Sequence, residues 1–216
     1  MLFSLLRRIY RYVRPIVIKG INNEICLKTK QRKSFIIRVF GNNNKILIGE
    51  NCRLQNCSLT LTGDNNTVIF DDVTKIDGPA YFTLSGNGFL SIGRNTGIRG
   101  VDCFIKDGFV KIGKNCMFAY DIKIRNNDYH QVLDNESGSI INKPHNITIG
   151  NHVWVCQNSS IIKTVEIGDD SIIAFGAVVT KGCPSNSIIA GNPAKIVKSN
   201  INWTNNPLPS SANISL

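Results

Sequence analysis

The sequence is poor in acidic residues, in histidine and in long apolar runs. Asp and Glu number 15 against 25 Lys and Arg, for a formal charge of +10. Chains this basic often bind nucleic acid. Here the cations are spread along the sequence and no RNA- or DNA-binding motif accompanies them. The excess positive charge is therefore assigned to an acidic cofactor, an acidic glycan or an anionic bilayer. Seven cysteines, at 26, 52, 57, 103, 116, 156 and 183, are odd in number and lack paired short spacings. That pattern excludes a disulfide framework and fits reduced core thiols in a cytosolic protein. Neither Cys-x-x-Cys nor a His/Cys cluster occurs, so no metal site is expected.

Against these absences stands one strong periodicity. An aliphatic residue recurs every six positions at Ile149, Val155, Ile161, Ile167, Ile173 and Val179. A period of six matches neither a helix, at about 3.6, nor a strand, at about 2.0. It matches a coil of three short flat faces in which one aliphatic side chain per face points at the axis, with 18 residues per turn. Earlier hexads start at Ile48, Ile92 and Ile112. The fifth place carries Cys52, Thr96, Cys116, Val153, Ser159, Ser171 or Ala177, small or slim side chains that face inward beside a tight corner. Asn, Asp and Gly at the second to fourth places suit turns with positive φ. The expected fold is all-β: a parallel β-helix of hexapeptide repeats over residues 21–198.

Both ends lie outside the repeat. Residues 1–20, opening MLFSLLRRIYRYVRP, are expected to form a basic amphipathic helix ended by Pro15. Its apolar run before the first Arg pair is too short for a signal-peptide core or a membrane span. Two roles are open to it: lying on an anionic membrane surface, or capping the open first coil of the solenoid. The expected location is accordingly cytoplasmic, with peripheral contact at the inner face of the cell membrane. Residues 199–216 are read as a C-terminal tail.

Between about residues 125 and 146 the ladder lapses. The segment is polar, carries Gly138 and Pro144, and holds His130 and His145, two of three histidines. It reads as a loop extruded from the prism, and loops on rigid scaffolds carry function.

The stretch from Asn126 to Lys198 resembles the left-handed β-helix, or hexapeptide, acyltransferases. It is most similar to the branch that O-acetylates bacterial capsule, O-antigen and sialic-acid-containing polysaccharides. The marks are Asp128-x-His130 in the loop, His152-Val153-Trp154 opening the next coil, Gly-Ala-Val-Val-Thr-Lys at 176–181 and Ala-Gly-Asn-Pro-Ala-Lys at 190–195. The similarity is dense over 112–198 and looser over 40–111. It implies a homotrimer with its active site in the cleft between neighbouring prisms, acetyl-coenzyme A as cosubstrate and a glycan hydroxyl as acceptor.

The implied roles fall on particular residues. His130 occupies the position of the catalytic base; a neutral imidazole at pH 7 suits removal of a hydroxyl proton during attack. Asp128 either orients His130 or caps the turn. Trp154, at an outward sixth place, shapes the cleft or packs in the trimer. Cys156 stands where relatives often have Gly, and its backbone N–H is a candidate oxyanion contact. Ala174, Gly176 and Ala177 match the small residues beside the pantetheine arm, although Phe175 departs from the pattern. Lys181 is placed to reach a coenzyme A phosphate, and Asn192, Pro193, Ala194 and Lys195 match the turn near the adenine. The γ-class carbonic anhydrases share the fold and bind zinc through three histidines, but the gaps of 15 and 7 between His130, His145 and His152 do not resemble their spacing. Acetylation of a small acceptor (an amino sugar, a free sugar or an antibiotic) and an inactive scaffold are the other readings.

Overall fold

Three flat faces wind around one axis. The computed structural model describes residues 15–163 and 165–207. Face one is built from residues 31–33 and 53–55, then Lys75–Ile76, Gly97–Ile98, Met117–Phe118, Trp154–Val155 and Ile172–Ile173. Face two holds Ile16–Lys19, residues 35–40 and 57–62, then Ala80–Ser85, Val101–Lys106, Ile122–Arg125, Ser160–Ile162 and Val178–Val179. Face three is a seven-stranded sheet from Glu24–Leu27 to Val165–Ile167, one strand per coil. These ladders are parallel, and an antiparallel hairpin, Ser187–Gly191 with Ala194–Ser199, closes the C-terminal end.

The hexad supplies the corners. In seven hexads the fourth residue, Asn51, Asn95, Asn115, His152, Asn158, Asp170 or Gly176, has φ between 53° and 68°. Those are the residue types that tolerate a left-handed bend. The glycine of the Ile-Gly pair has a different cause. A Cβ on Gly113 would lie 2.4 Å from the carbonyl oxygen of Gly150 in the next coil. Coil-to-coil contact leaves no room for a side chain there.

Inward residues form continuous apolar columns. Phe118, Val155, Ile173 and Ile189 follow one another on face one, each at most 2% exposed. Phe70 and Phe82 meet edge to face with centroids 5.5 Å apart. Each fully buried side chain of this size contributes about 1.5–3 kcal/mol.

Two expectations need correction. The 18-residue turn holds only in the C-terminal coils, as between Ile147 and Val165. Ile46 pairs with Val68 and Val68 with Leu90, which makes those coils 22 residues long. Ten-residue strands such as Arg53–Thr62 run from one face onto the next and lengthen the turn. Residues 16–19, assigned to the N-terminal helix, are a strand paired with residues 37–40; Ile16, Val17 and Ile18 are β-branched and prefer that state. The solenoid therefore starts before residue 21. The rest of that helix, residues 1–14, lies outside the described residues. The C-terminal tail packs onto the prism as far as Trp203, which is 8% exposed.

The buried thiols make stability pH-dependent. Burial pushes the Cys103 thiol up to about 12 and the Cys116 thiol up to about 11, and raises Cys57 as well. In the unfolded chain these thiols ionise from about pH 8.5. The unfolded state then releases protons that the folded state keeps. Stability from these groups is full below pH 8.5 and declines as pH rises toward 11–12. Each thiol is expected to cost roughly 2 kcal/mol by about pH 10. Denaturant midpoints compared between pH 7 and pH 10, with and without Cys103→Ala, will show it. An equal decline in both proteins would remove Cys103 from the account.

Candidate active site

The loop leaves the prism at the corner after face two and returns to face three. Ile112 and Ile149 are direct strand partners despite lying 37 residues apart, so the loop is inserted into a single coil and the ladder resumes in register. Asn126, 0% exposed, pins its neck. The Asn126 amide donates to the carbonyls of Lys106 (3.0 Å) and His145 (2.9 Å), and its oxygen accepts from Lys106 N–H at 2.8 Å. His145 N–H returns a bond to the Asn126 carbonyl, also at 2.8 Å. His145 thus closes the loop. Further out, Leu133 bridges Ile140. At the tip, the Ser137 N–H and hydroxyl hold the Asp134 carboxyl below its ordinary range.

His130 sits at the outlet of a tight turn. Tyr129 N–H donates to the Asn127 side-chain oxygen (2.8 Å), and His130 N–H donates to the Asp128 carbonyl (2.8 Å). The residue between them, Tyr129, has φ 67°, the strained geometry of a three-residue turn. Strain of this kind gathers at functional sites. The Tyr129 ring stands edge-on to the imidazole at 5.1 Å and also meets Phe104 at 5.9 Å. Asp128 does not hold the imidazole through its carboxylate. That group accepts from the Asn142 amide at 3.2 Å, while the same amide donates to the His130 carbonyl at 2.7 Å. The Asp128 backbone carbonyl closes the turn, and its carboxylate ties the turn to Asn142.

The other site residues lie elsewhere on the prism. Trp154 faces outward on face one, half-buried, between Met117 and Ile172. Cys156 and Ala174 stack in successive coils at the corner between faces one and two. Cys156 N–H donates to the Ile173 carbonyl and Ala174 N–H to that of Ile189, each at 2.9 Å. The Cys156 N–H is thus committed to the ladder and is not a free oxyanion donor. Burial raises the Cys156 thiol, which disfavours a nucleophilic role. Gly176 N–H bonds the Gln157 carbonyl at this corner, and a Cβ there would meet nothing within 4 Å. Ala177 is 0% exposed and belongs to the core; its fifth hexad place points at the axis, so its side chain touches no cofactor. Asn192, Pro193, Ala194 and Lys195 make the turn and return strand of the closing hairpin, next to Ala190. Lys181 is exposed beyond Val178–Val179, at the corner from which the loop emerges.

Trp203 packs against Trp154, a contact that was not legible in the sequence. Its ring stacks on His152 at 4.2 Å with 9° between planes, and lies 5.8 Å from Trp154. Its indole N–H donates to the His152 carbonyl at 2.7 Å, and His152 Nδ1 lies 2.8 Å from Asp170. A lone tryptophan in a tail rich in Asn and Ser was the available signal. Among the described residues, no group of three or more His, Cys, Asp or Glu is placed to hold a metal ion.

Comparison with known proteins identifies the family and the fold. The model of the bacterial transferase hexapeptide family (six repeats) matches residues 146–181. A polysialic acid O-acetyltransferase of Neisseria meningitidis is 37% identical over 189 residues, 86% of this chain and 87% of that one. The chain belongs to the hexapeptide-repeat O-acetyltransferases. A crystal structure of the polysialic acid O-acetyltransferase OatWY superposes on this acetyltransferase with a TM-score of 0.87 at 34% identity, over 91% of this chain and 94% of that one. That of the polySia-specific acetyltransferase NeuO gives 0.85 at 35% identity, over 90% and 84%. The fold of the acetyltransferase is therefore the left-handed β-helix of that family. Galactoside O-acetyltransferase of Escherichia coli K12 is 33% identical over 125 residues, 57% of this chain and 59% of that one.

Proposed function

We propose that this acetyltransferase transfers an acetyl group from acetyl-coenzyme A to a hydroxyl of a capsular polysaccharide, as a homotrimer with its sites between neighbouring chains. The observation that carries the reading is the division of the site residues between two corners. His130 and Lys181 stand at the corner after face two, while Trp154, Cys156, Ala174 and Gly176 stand on face one and at its far edge. On one prism the two sets stand at different corners, and two prisms side by side would bring one set against the other. Exposed apolar side chains on the loop, among them Leu133 at 55% and Ile141 at 62%, suit burial against a neighbour.

The residues present fit the cosubstrate. The open space over Gly176 and the small, half-buried Ala174 leave a smooth corner for an extended amide chain. The exposed Lys181 and Lys195 offer charge to phosphates. Bound there, acetyl-coenzyme A supplies the activated acyl carbon. His130 takes the acceptor hydroxyl proton as the oxygen attacks, and returns it to the departing thiolate sulfur. Trp154 gives the acceptor sugar a flat apolar wall.

Complementation between two inactive variants tests the shared site. His130→Ala and Trp154→Ala chains, each inactive alone, are expected to regain a fraction of wild-type acetyl transfer when co-expressed. Mixed trimers then contain some interfaces with both an intact His130 and an intact Trp154. Mixtures as inactive as their parents would place the whole site within one chain and overturn the arrangement.

A further inference from the structure

The net charge of this chain is gathered at one end of the prism. Residues 1–40 hold ten Lys and Arg and one acidic residue, Glu24, whereas residues 41–216 hold fifteen and fourteen. Cations run the whole length, but the acids that balance them begin only after the first coil. Nearly all of the formal charge of +10 therefore belongs to the first 40 residues. Glu24 is already paired with Lys45 at 2.9 Å. Lys28, Lys30, Arg32 and Lys33 are exposed and have no carboxylate partner among the described residues.

The same end leaves the core uncovered. Ile16 and Ile18 are strand partners of Ile37 and Val39, both 0% exposed. They continue the inward columns, yet they are 40% and 46% exposed, because their strand pairs on one side only among the described residues. Ile21, at the next corner, is 69% exposed. The face-one column ends differently. Leu54, Ile76, Ile98 and Phe118 succeed one another in it, and the place before Leu54 belongs to Arg32. The prism thus ends in isoleucines mixed with cations. An apolar lid over this end would bury the Arg32 guanidinium without a counter-charge. The headgroup layer of an anionic bilayer gives it a phosphate, and the acyl boundary beneath takes the isoleucines. Directly before Pro15 the sequence adds Arg7, Arg8, Arg11 and Arg14, interleaved with apolar residues.

We propose that the N-terminal end of the prism docks end-on onto the surface of an anionic phospholipid bilayer. Its isoleucines meet the acyl boundary and its lysines and arginines meet lipid phosphates. The contact is peripheral, and it goes beyond the transfer reaction without depending on it.

Sedimentation of the purified full chain with vesicles tests the docking. The probes are vesicles of phosphatidylcholine alone, and of phosphatidylcholine with about 30 mol% phosphatidylglycerol to supply negative surface potential. The chain is expected to bind the anionic vesicles, to ignore the neutral ones and to dissociate between about 100 and 500 mM salt. The triple variant Lys28→Glu, Arg32→Glu, Lys33→Glu should lower partitioning by about 100-fold or more, since each basic residue at such a surface counts for about fivefold. Ile21→Ser should lower it severalfold with no change in charge. These four side chains are exposed and lie outside the candidate active site, so melting temperatures and transfer to a soluble acceptor should match wild type. Binding to neither vesicle, or equally to both, overturns the proposal; so does unchanged partitioning of the triple variant. Wild-type partitioning of Ile21→Ser, with soluble polyphosphate displacing the chain, would mark a site for an acidic polymer instead of a bilayer. Vesicle binding without acetyl transfer to any acceptor would leave the docking surface standing and sink the enzymatic reading.

Discussion

Replacing His130 by alanine will lower acetyl transfer by about 10²–10⁴-fold, the usual scale for loss of a general base. The expectation follows from the way the residue is held. Its backbone is fixed by the Asp128 carbonyl and the Asn142 amide, and its ring is flanked by Tyr129. Its side chain is exposed, so truncation leaves no cavity and thermal stability should not change. The loss should fall on kcat, because the imidazole acts on the proton in flight rather than on ground-state binding. Steady-state kinetics with acetyl-coenzyme A and a polysaccharide acceptor will show this split. A variant that keeps wild-type kcat would remove His130 from the chemistry.

Asn126→Ala is the second large effect, and it acts on both stability and rate. The substitution strips partners from the Lys106 N–H, the Lys106 carbonyl and the His145 carbonyl in a buried neck. Buried polar groups left unpaired cost about 1–3 kcal/mol each when no water replaces the partner. A net loss of roughly 3 kcal/mol is expected once relaxation is allowed for. The untied neck also loosens His130, and misplacement of a catalytic group by about 1 Å can cost up to 10²-fold. Denaturant titration reads the first effect. Limited proteolysis within residues 127–144, together with kcat, reads the second. Wild-type protease resistance in the variant would show that the loop is positioned by its own turn and not by the neck.

Much of the architecture was legible because the hexad encodes it locally. The aliphatic first place, the slim fifth place and the turn-forming fourth place each have a single steric cause, and the structure shows all three. The loop edges were also legible, since an inward ladder lapses visibly where chain leaves the prism. Coil length in the N-terminal half was not. There, strands such as Arg53–Thr62 continue around a corner, and their alternation does not mark where one face ends. The candidate site was legible only as single residues. The sequence singles out His130 and Trp154, but their separation onto different parts of one prism depends on how coils stack. The commitment of the Cys156 N–H to Ile173 depends on the same stacking. Trp203 escaped because it reaches His152 across 51 positions, and a contact at that range leaves no periodic trace.

The unbroken pairing of Ile112 with Ile149 has an evolutionary consequence. The segment bearing His130 is spliced into a scaffold whose spacing does not register its length. Natural selection, or an engineer, can therefore exchange everything between Asn126 and His145 without repacking a single interior residue. Chains of this architecture are thus free to vary one surface cassette in length and composition while keeping the column beneath it.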